Sequence, residues 1–164
     1  MSCIVLGIDP GTATTGYGVV AAGDGKVTLL ECGVIRTSAG QPLPIRIRDI
    51  YEGVVALIDR HRPSAVSVED VFHGKNSRTA LSLGHARGAI LLAASLKDLP
   101  ISEYTAVEIK KAVTGTGRAT KDQVGFMVQQ RLRLARAPAP ADAADGVAAA
   151  LCHCMSIPFD RVRP

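Results

Sequence analysis

Hydrophobic positions near the start of the chain form three apolar runs separated by turn-forming residues. The runs are Cys3–Asp9, Thr15–Ala22 and Val27–Thr37. Val, Ile and Leu dominate them, and Pro10-Gly11 and Gly23-Asp24-Gly25 interrupt them, which is typical of strands joined by short turns. Gly23-Asp24-Gly25 also has the residue types of a tight hairpin. The pattern predicts an antiparallel meander of three strands.

The rest of the chain alternates predicted helices with short predicted strands. Apolar residues recur at helical spacing in five segments, namely Pro44–Arg62, Ser77–Lys97, Val107–Val113, Gln123–Leu134 and Ala141–Met155. Two short apolar runs, Ala65–Glu69 and Ile101–Tyr104, predict strands. Strand–helix–strand units imply parallel pairing. We therefore predict an α/β fold with a mixed five-stranded sheet, three antiparallel strands then parallel ones, and helices on both faces.

Length and composition favour one globular domain. The chain has 164 residues, of which 47% are hydrophobic and 21% charged, enough for a core. We expect residues 1–156 to form the domain and 157–164 a C-terminal tail. The sequence contains no run of eighteen apolar residues, so we predict no membrane span. The first residues lack the basic start of a signal peptide. These features predict a cytoplasmic protein with no membrane partner.

Charge and cysteine usage narrow the possible functions only slightly. The net charge of +4 permits a nucleic-acid partner, whereas 4% aromatic residues disfavour a stacking surface for single strands. Cys152-His153-Cys154 could suggest zinc binding. However, helix positions two apart point about 200° from each other, so we expect reduced, buried thiols, as also for Cys3 and Cys32.

Carboxylates stand where several predicted elements begin or end. Asp9 ends the first strand before Pro10-Gly11, where it could either face a ligand or form the turn. Glu69 and Asp70 end the fourth strand, and alternation leaves open which of them faces a site. Asp142 and Asp145 are three residues apart and share a face in the first turn of the last helix. Asp142 could alternatively cap that helix.

Clustered carboxylates predict a metal site. Their charges repel and raise each other's pKa unless a cation lies between them. Oxygen ligands without His or Cys suit Mg²⁺ or Mn²⁺. Two such ions about 4 Å apart support phosphodiester hydrolysis. An actin-like or sugar-kinase ATPase also uses a strand-end Asp, but it needs two such domains and this chain has the length of one.

Three motifs in this order resemble those of the RuvC family, the bacterial Holliday-junction resolvases. They are Gly7-Ile8-Asp9-Pro10-Gly11 with Thr15-Gly16-Tyr17-Gly18, Val68-Glu69 with Val71-Phe72 and Lys75-Asn76, and Ala141-Asp142-Ala143-Ala144-Asp145 with Cys152-His153-Cys154. The resemblance implies a ribonuclease H-like fold and a homodimeric endonuclease that nicks two opposite strands of four-way junction DNA. It also implies two Mg²⁺ per active site, Mn²⁺ as a substitute, 5′-phosphate and 3′-hydroxyl products, and RuvA and RuvB as branch-migration partners.

The resemblance assigns roles to individual residues. It places the catalytic and metal-binding acids at Asp9, Glu69, Asp142 and Asp145, which selects Glu69 over Asp70, although some family members have His at the position of Asp142. It makes Lys121 catalytic, where the alternative is a solvated helix lysine. The residues expected to contact DNA are Phe72, Lys75, Arg78, Arg87, Lys110, Lys111, Arg118 and Lys121. The resemblance implies that Phe72 inserts at the junction centre. The alternative is that Phe72 is buried in the hydrophobic core.

Two small residues leave a further choice open. Gly84 and Gly88 are four apart on a predicted helix, where small side chains permit close packing. They could pack on the chain's own sheet or, as the resemblance implies, form a symmetric dimer contact.

Rival functions are a module that binds branched DNA without cutting it and a related nuclease acting on RNA–DNA hybrids or ribosomal RNA precursors.

Overall fold

A computed structural model describes residues 3–70 and 76–157. These residues form one mixed sheet of five strands in the spatial order β3-β2-β1-β4-β5. The strands are β1 (Cys3–Asp9), β2 (Thr14–Gly23), β3 (Lys26–Arg36), β4 (Ala65–Asp70) and β5 (Ile101–Thr105). The helices are α1 (Leu43–His61), α2 (Ser77–Ser95), α3 (Ala106–Thr114), α4 (Lys121–Arg131) and α5 (Ala141–Ser156).

The strand directions bring the carboxyl ends of four strands to one edge of the sheet. β2 is antiparallel to both β1 and β3, and β4 and β5 run parallel to β1. Asp24 and Gly25 both have positive φ, 52° and 73°, as the predicted tight hairpin requires. The strands β1, β3, β4 and β5 therefore all end at the same edge, where β2 begins. We call this edge, marked by Asp9, Arg36, Asp70 and Thr105, the carboxyl edge.

Helices cover both faces of the sheet, which confirms the predicted α/β architecture. Leu6, Ile8 and Val68 pack with α1 and α2 on one face. On the other face, Val5 and Val20 pack with α3, α4 and α5. α5 lies close to the strands because its inner residues are small, including Ala143, Gly146 and Ala150. None of the described helices is long and apolar enough to span a bilayer.

The start and end of α4 differ from the prediction of Gln123–Leu134. The helix begins at Lys121 because Thr120 and Gln123 form a capping box, in which each side chain accepts the other's backbone N–H. It ends at Arg131, and Arg133 has a positive φ of 52°, which is incompatible with a continuing helix. The correction places Lys121 in the first turn of α4.

Gly84 and Gly88 lie on the outer face of α2. Among the described residues, no atom lies within 4 Å of a Cβ built at either position. The alternative that they pack against the chain's own sheet is therefore wrong.

Predicted residues Phe72 and Lys75, and the tail from residue 158 onward, lie outside the described residues.

Candidate active site

Asp9 lies at the carboxyl edge, directly beside the first turn of α5. Its strand neighbour on β2 is Gly16, and a Cβ at Gly16 would overlap the carbonyl oxygen of Asp142. This close approach depends on glycine at position 16. Carboxylate oxygens of Asp9, Asp142 and Asp145 all lie within 4.8 Å of one another. Segments of the chain more than 130 residues apart thus deliver three acids to one point.

The ambiguity between Glu69 and Asp70 is resolved by the faces of β4. The buried Ser67 hydroxyl donates a hydrogen bond of 2.7 Å to the carbonyl of Ala149 in α5. Alternation along the strand puts Glu69 on the same face as Ser67, and Asp70 on the opposite face. Glu69 lines a cavity with Asp9 and Asp145, whereas Asp70 forms an ion pair with Arg87 in α2, 3.7 Å long.

Asp9, Glu69 and Asp145 border a cavity of about 200 Å³. Its walls combine five charged groups, one each from β1, β4, α3, α4 and α5, with apolar side chains from the helices. The lining residues are Asp9, Glu69, Ala106, Ile109, Lys110, Lys121, Val124, Asp145 and Ala148. The apolar walls limit solvation of the carboxylates, so charges in the cavity interact strongly.

Burial and the repulsion of neighbouring carboxylates raise the pKa of two acids of the cluster, Asp9 and Glu69. Burial first, and then the charges of Glu69 and Asp145, raise the pKa of Asp9 to about 8. Burial and the charge of Asp145 also raise the pKa of Glu69, although a hydrogen bond with Asp9 opposes this shift. A carboxyl group that holds a proton is a poor metal ligand, so a bound cation must displace that proton.

Lys121 provides partial compensation for this negative charge. Its Nζ donates a hydrogen bond of 3.0 Å to Oδ2 of Asp145, and that contact raises the pKa of Lys121. The lysine side chain remains 69% exposed, while that of Asp145 is 16% exposed. The ammonium group therefore lies between the buried acids and the solvent, where an anionic substrate would approach.

The residues present fit a hard divalent cation. The clustered carboxylates of Asp9, Asp142 and Asp145, together with Glu69 on the cavity wall, offer oxygen atoms alone, the ligand type that Mg²⁺ and Mn²⁺ prefer. Pro140 is the N-cap of α5, and no side chain caps this helix. Asp142 therefore does not cap the helix, and its carboxylate is available as a ligand.

Comparison with known proteins decides the family. The family model described as crossover junction endodeoxyribonuclease RuvC matches residues 5–153. The chain belongs to the RuvC family. A curated RuvC from Pelotomaculum thermopropionicum is 47% identical over 158 residues, covering 96% of each chain. Another, from Moorella thermoacetica, is 49% identical over 95% of this chain and 93% of its own.

A solved RuvC structure supports the same assignment at the level of the fold. The Thermus thermophilus RuvC in complex with a Holliday junction substrate superposes with a TM-score of 0.88. It is 39% identical and covers 93% of both chains. The ribonuclease H-like fold that the sequence motifs imply is therefore confirmed, with the acidic cluster at the carboxyl edge of its sheet.

The basic residues predicted to contact DNA in this RuvC family member differ in their surroundings. Lys111 and Arg118 are exposed on and after α3, and Lys110 lines the cavity. Arg78 is exposed in the first turn of α2. Arg87 instead forms ion pairs with Asp70 and Glu103, with 28% of its side chain exposed.

Sequence reasoning missed the residues that shape the cavity and the partners of Arg87. Ile109 and Val124 recur at helical spacing with other apolar residues, so they look like ordinary core positions. Glu103 lies in a short polar strand with no motif around it. Alternation shows that Asp70 and Glu103 share one face of the sheet only when the register of β4 with β5 is known. The sequence does not give that register.

Proposed function

We infer that the chain is a crossover junction endodeoxyribonuclease that resolves Holliday junctions in homologous recombination and DNA repair. The observation that carries this inference is the acidic cluster at the carboxyl edge of a chain that belongs to the RuvC family. The reaction is hydrolysis of a phosphodiester bond. Paired symmetric nicks on two opposite strands would separate the joined duplexes, leaving 5′-phosphate and 3′-hydroxyl ends.

The proposed cofactors are two Mg²⁺ ions per active site, with Mn²⁺ as a substitute. Asp9, Glu69, Asp142 and Asp145 would hold them. When bound, such ions activate a water and stabilise the charge on the leaving oxygen. The raised pKa of Asp9 and of Glu69 supports the proposal, because a cation would relieve the repulsion that burial intensifies.

The chain's own cations have a separate role at the scissile phosphate. Lys121 contacts Asp145, and Lys110 lines the same cavity. We assign Lys121 as a catalytic residue that offsets negative charge on the phosphate as the transition state forms. The pairing of Arg87 with two acids constrains its side chain. The remaining proposed DNA contacts are Lys111, Arg118, Arg78, Arg87, Lys75 and Phe72.

A homodimer through α2 would place two active sites against two equivalent strands. Leu81 and Leu92 are 65% and 53% exposed and lie on the same outer face as Gly84 and Gly88. Their spacing forms one stripe along the helix, and glycines allow two helices to approach closely. The family resemblance is also the basis for RuvA and RuvB as proposed partners.

Synthetic substrates test the nuclease function. We expect paired symmetric nicks in four-way junctions in the presence of Mg²⁺, and none in linear duplex, in RNA–DNA hybrid or with a chelator. Asp145→Asn should remove cleavage, and Glu52→Gln, which alters an exposed acid on α1, should not. Equal cutting of linear duplex would refute the assignment, and cutting of the hybrid alone would favour a related ribonuclease.

Sedimentation tests the dimer separately. A bulky charge at the proposed interface, Gly88→Arg, should convert the dimer to a monomer without a large change in melting temperature, because nothing among the described residues packs against this position. Leu30→Arg changes an exposed leucine on β3, 45% accessible, and serves as the control. An unchanged dimer in Gly88→Arg would exclude this face of α2.

A further inference from the structure

The cations of α3, of α4 and of the loop between them that are proposed to hold DNA lie on one side of the acidic cluster. Lys110 and Lys111 belong to α3, Lys121 begins α4, and Arg118 lies between these helices. α3 directly follows β5, at one end of the sheet order. A DNA strand whose phosphate reaches Asp9 must continue in both directions. The other direction passes over the ends of β2 and β3, where Arg36 is the last residue of β3.

The sheet register places Arg36 on the same face as the acids. Asp9 pairs with Gly16, and Gly16 pairs with Val34, so these three positions share one face. Arg36, two residues after Val34, points to that face as well. Ile35 points to the opposite face, where its side chain would meet a Cβ at Gly53 in α1. The side chain of Arg36 therefore leaves the sheet on the α5 face, one strand beyond the contact of Gly16 with Asp142.

The distance from Arg36 to Asp9 suits contact with a neighbouring phosphate rather than with the scissile one. Arg36 is two strands across and two residues along from Asp9, and strands lie about 4.8 Å apart with a rise of about 3.3 Å per residue. The two Cα atoms are thus roughly 12 Å apart by this geometry. Since nucleotides rise about 3.4 Å along a duplex strand, Arg36 reaches the backbone about two to four nucleotides from the cut.

Arg36 is also available and held in place. It is exposed, and no carboxylate of residues 3–70 or 76–157 forms a salt bridge with it. The next residue, Thr37, donates its backbone N–H to the carbonyl of Ala13, at 3.0 Å. The Thr37 hydroxyl in turn accepts a hydrogen bond of 2.9 Å from Nε of Arg46 in α1. These contacts fix the backbone beside Arg36 without using its charge.

We propose that Arg36 binds a DNA backbone phosphate on the β3 side of the cleavage site. The cleaved strand would then be held by cations on both sides of the acids, Lys110 and Lys121 on one side and Arg36 on the other. This proposal rests on the proposed nuclease function. It adds the direction in which the bound strand continues across the carboxyl edge.

Charge removal at the two ends of β3 gives a matched test. Arg36→Gln and Lys26→Gln each remove one exposed positive charge from the same strand, at opposite edges of the sheet. Binding of a labelled four-way junction is measured by fluorescence anisotropy at several salt concentrations, in an Asp145→Asn background to prevent cutting. We expect Arg36→Gln to weaken binding about three- to tenfold and to reduce the slope of log K against log salt by about 0.9. Lys26→Gln should change neither, and Arg36→Lys should retain the slope.

A modified substrate locates the contact. Neutral methylphosphonates placed about two to four nucleotides from the cut, on the side away from Lys121, should weaken binding of the Asp145→Asn protein but not of its Arg36→Gln derivative. Equal slopes for Arg36→Gln and Lys26→Gln would overturn the proposal. Failure of the parent protein to nick junctions with any divalent metal would instead count against the nuclease function, and the slope comparison would still decide whether Arg36 binds DNA.

Discussion

Replacing Asp9 by asparagine tests the electrostatics of the acidic cluster directly. The substitution keeps the shape of the side chain and removes its ability to ionise. In the native chain, burial and the neighbouring acids raise the pKa of Asp9 from 3.8 to about 8. Between these two pH values the folded protein holds a proton that the unfolded chain releases. The free energy of unfolding of the metal-free protein therefore decreases as pH rises from about 4 to about 8.

The size of this effect follows from the pKa difference. Each pKa unit corresponds to about 1.4 kcal/mol, so the change from 3.8 to about 8 sets an upper limit near 6 kcal/mol. The charge of Glu69 is among the causes of the Asp9 shift, so the two carboxyl groups titrate as a pair, and we expect roughly half of that limit, about 3 kcal/mol, to belong to Asp9. At about 2–4 °C per kcal/mol for a chain of this size, Asp9→Asn should melt about 6–12 °C higher than the parent at pH 8.

Thermal unfolding in a chelator at pH 5, 6.5 and 8 measures the effect. The parent should lose stability across this range, while Asp9→Asn should lose much less and converge with the parent at pH 5. Glu52→Gln removes an exposed carboxylate of α1 and should follow the parent. Saturating Mg²⁺ should raise the melting temperature of the parent most at pH 8. Parallel pH profiles for the parent and Asp9→Asn would refute the clustered, repelling arrangement.

Further substitutions test single contacts, one beside the acidic cluster and two elsewhere in the fold. Gly16→Ala would drive a Cβ into the Asp142 carbonyl, so we expect junction cleavage to fall at least tenfold while circular dichroism shows a folded protein. Burial raises the pKa of Glu31, but hydrogen bonds from His61 and Tyr17 and the charge of Arg60 outweigh it, so the pKa is lowered. Glu31→Gln should therefore cost about 1–2 kcal/mol at pH 7. In chemical denaturation this difference from the parent should shrink as the pH falls below the ordinary value of 4.5 and through the lowered pKa of Glu31. Arg87→Met leaves Asp70 and Glu103 unpaired and should cost about 1–3 kcal/mol, which Glu103→Gln in the same chain should partly restore.

The order of elements and the positions of the acids could be predicted because both depend on local pattern. Apolar periodicity distinguishes strands from helices, and Asp9 and Glu69 each stand where a predicted strand ends. The choice between Glu69 and Asp70 could not be made in this way. Alternation separates the two faces of β4, but it does not say which face α5 covers. A hydrogen bond between Ser67 and Ala149, 82 residues apart, fixes that choice.

Residues that act through long-range contacts were the hardest to predict. Arg87 looks like one more exposed cation on a helix, and only the register of β4 with β5 shows that Asp70 and Glu103 flank it. Arg36 likewise has no motif around it. Its relation to Asp9 depends on two successive antiparallel pairings, from β1 to β2 and from β2 to β3. Local sequence does not contain such pairings.

The direction of β3 has a consequence for how charge is arranged at the carboxyl edge. Two successive antiparallel pairings make β3 run in the same direction as β1, so Arg36 and Asp9 end their strands on one edge. Lys121 reaches the same edge from α4 and contacts Asp145. The acids therefore lie between cations that belong to separate parts of the fold. A phosphate backbone crossing this edge meets attraction before and after the acids, and at the acids themselves it meets repulsion that only a divalent cation can reverse. The same arrangement makes cleavage dependent on metal while leaving much of the binding energy to the cations on either side, which is why we expect Asp9→Asn to keep junction binding after cleavage is lost.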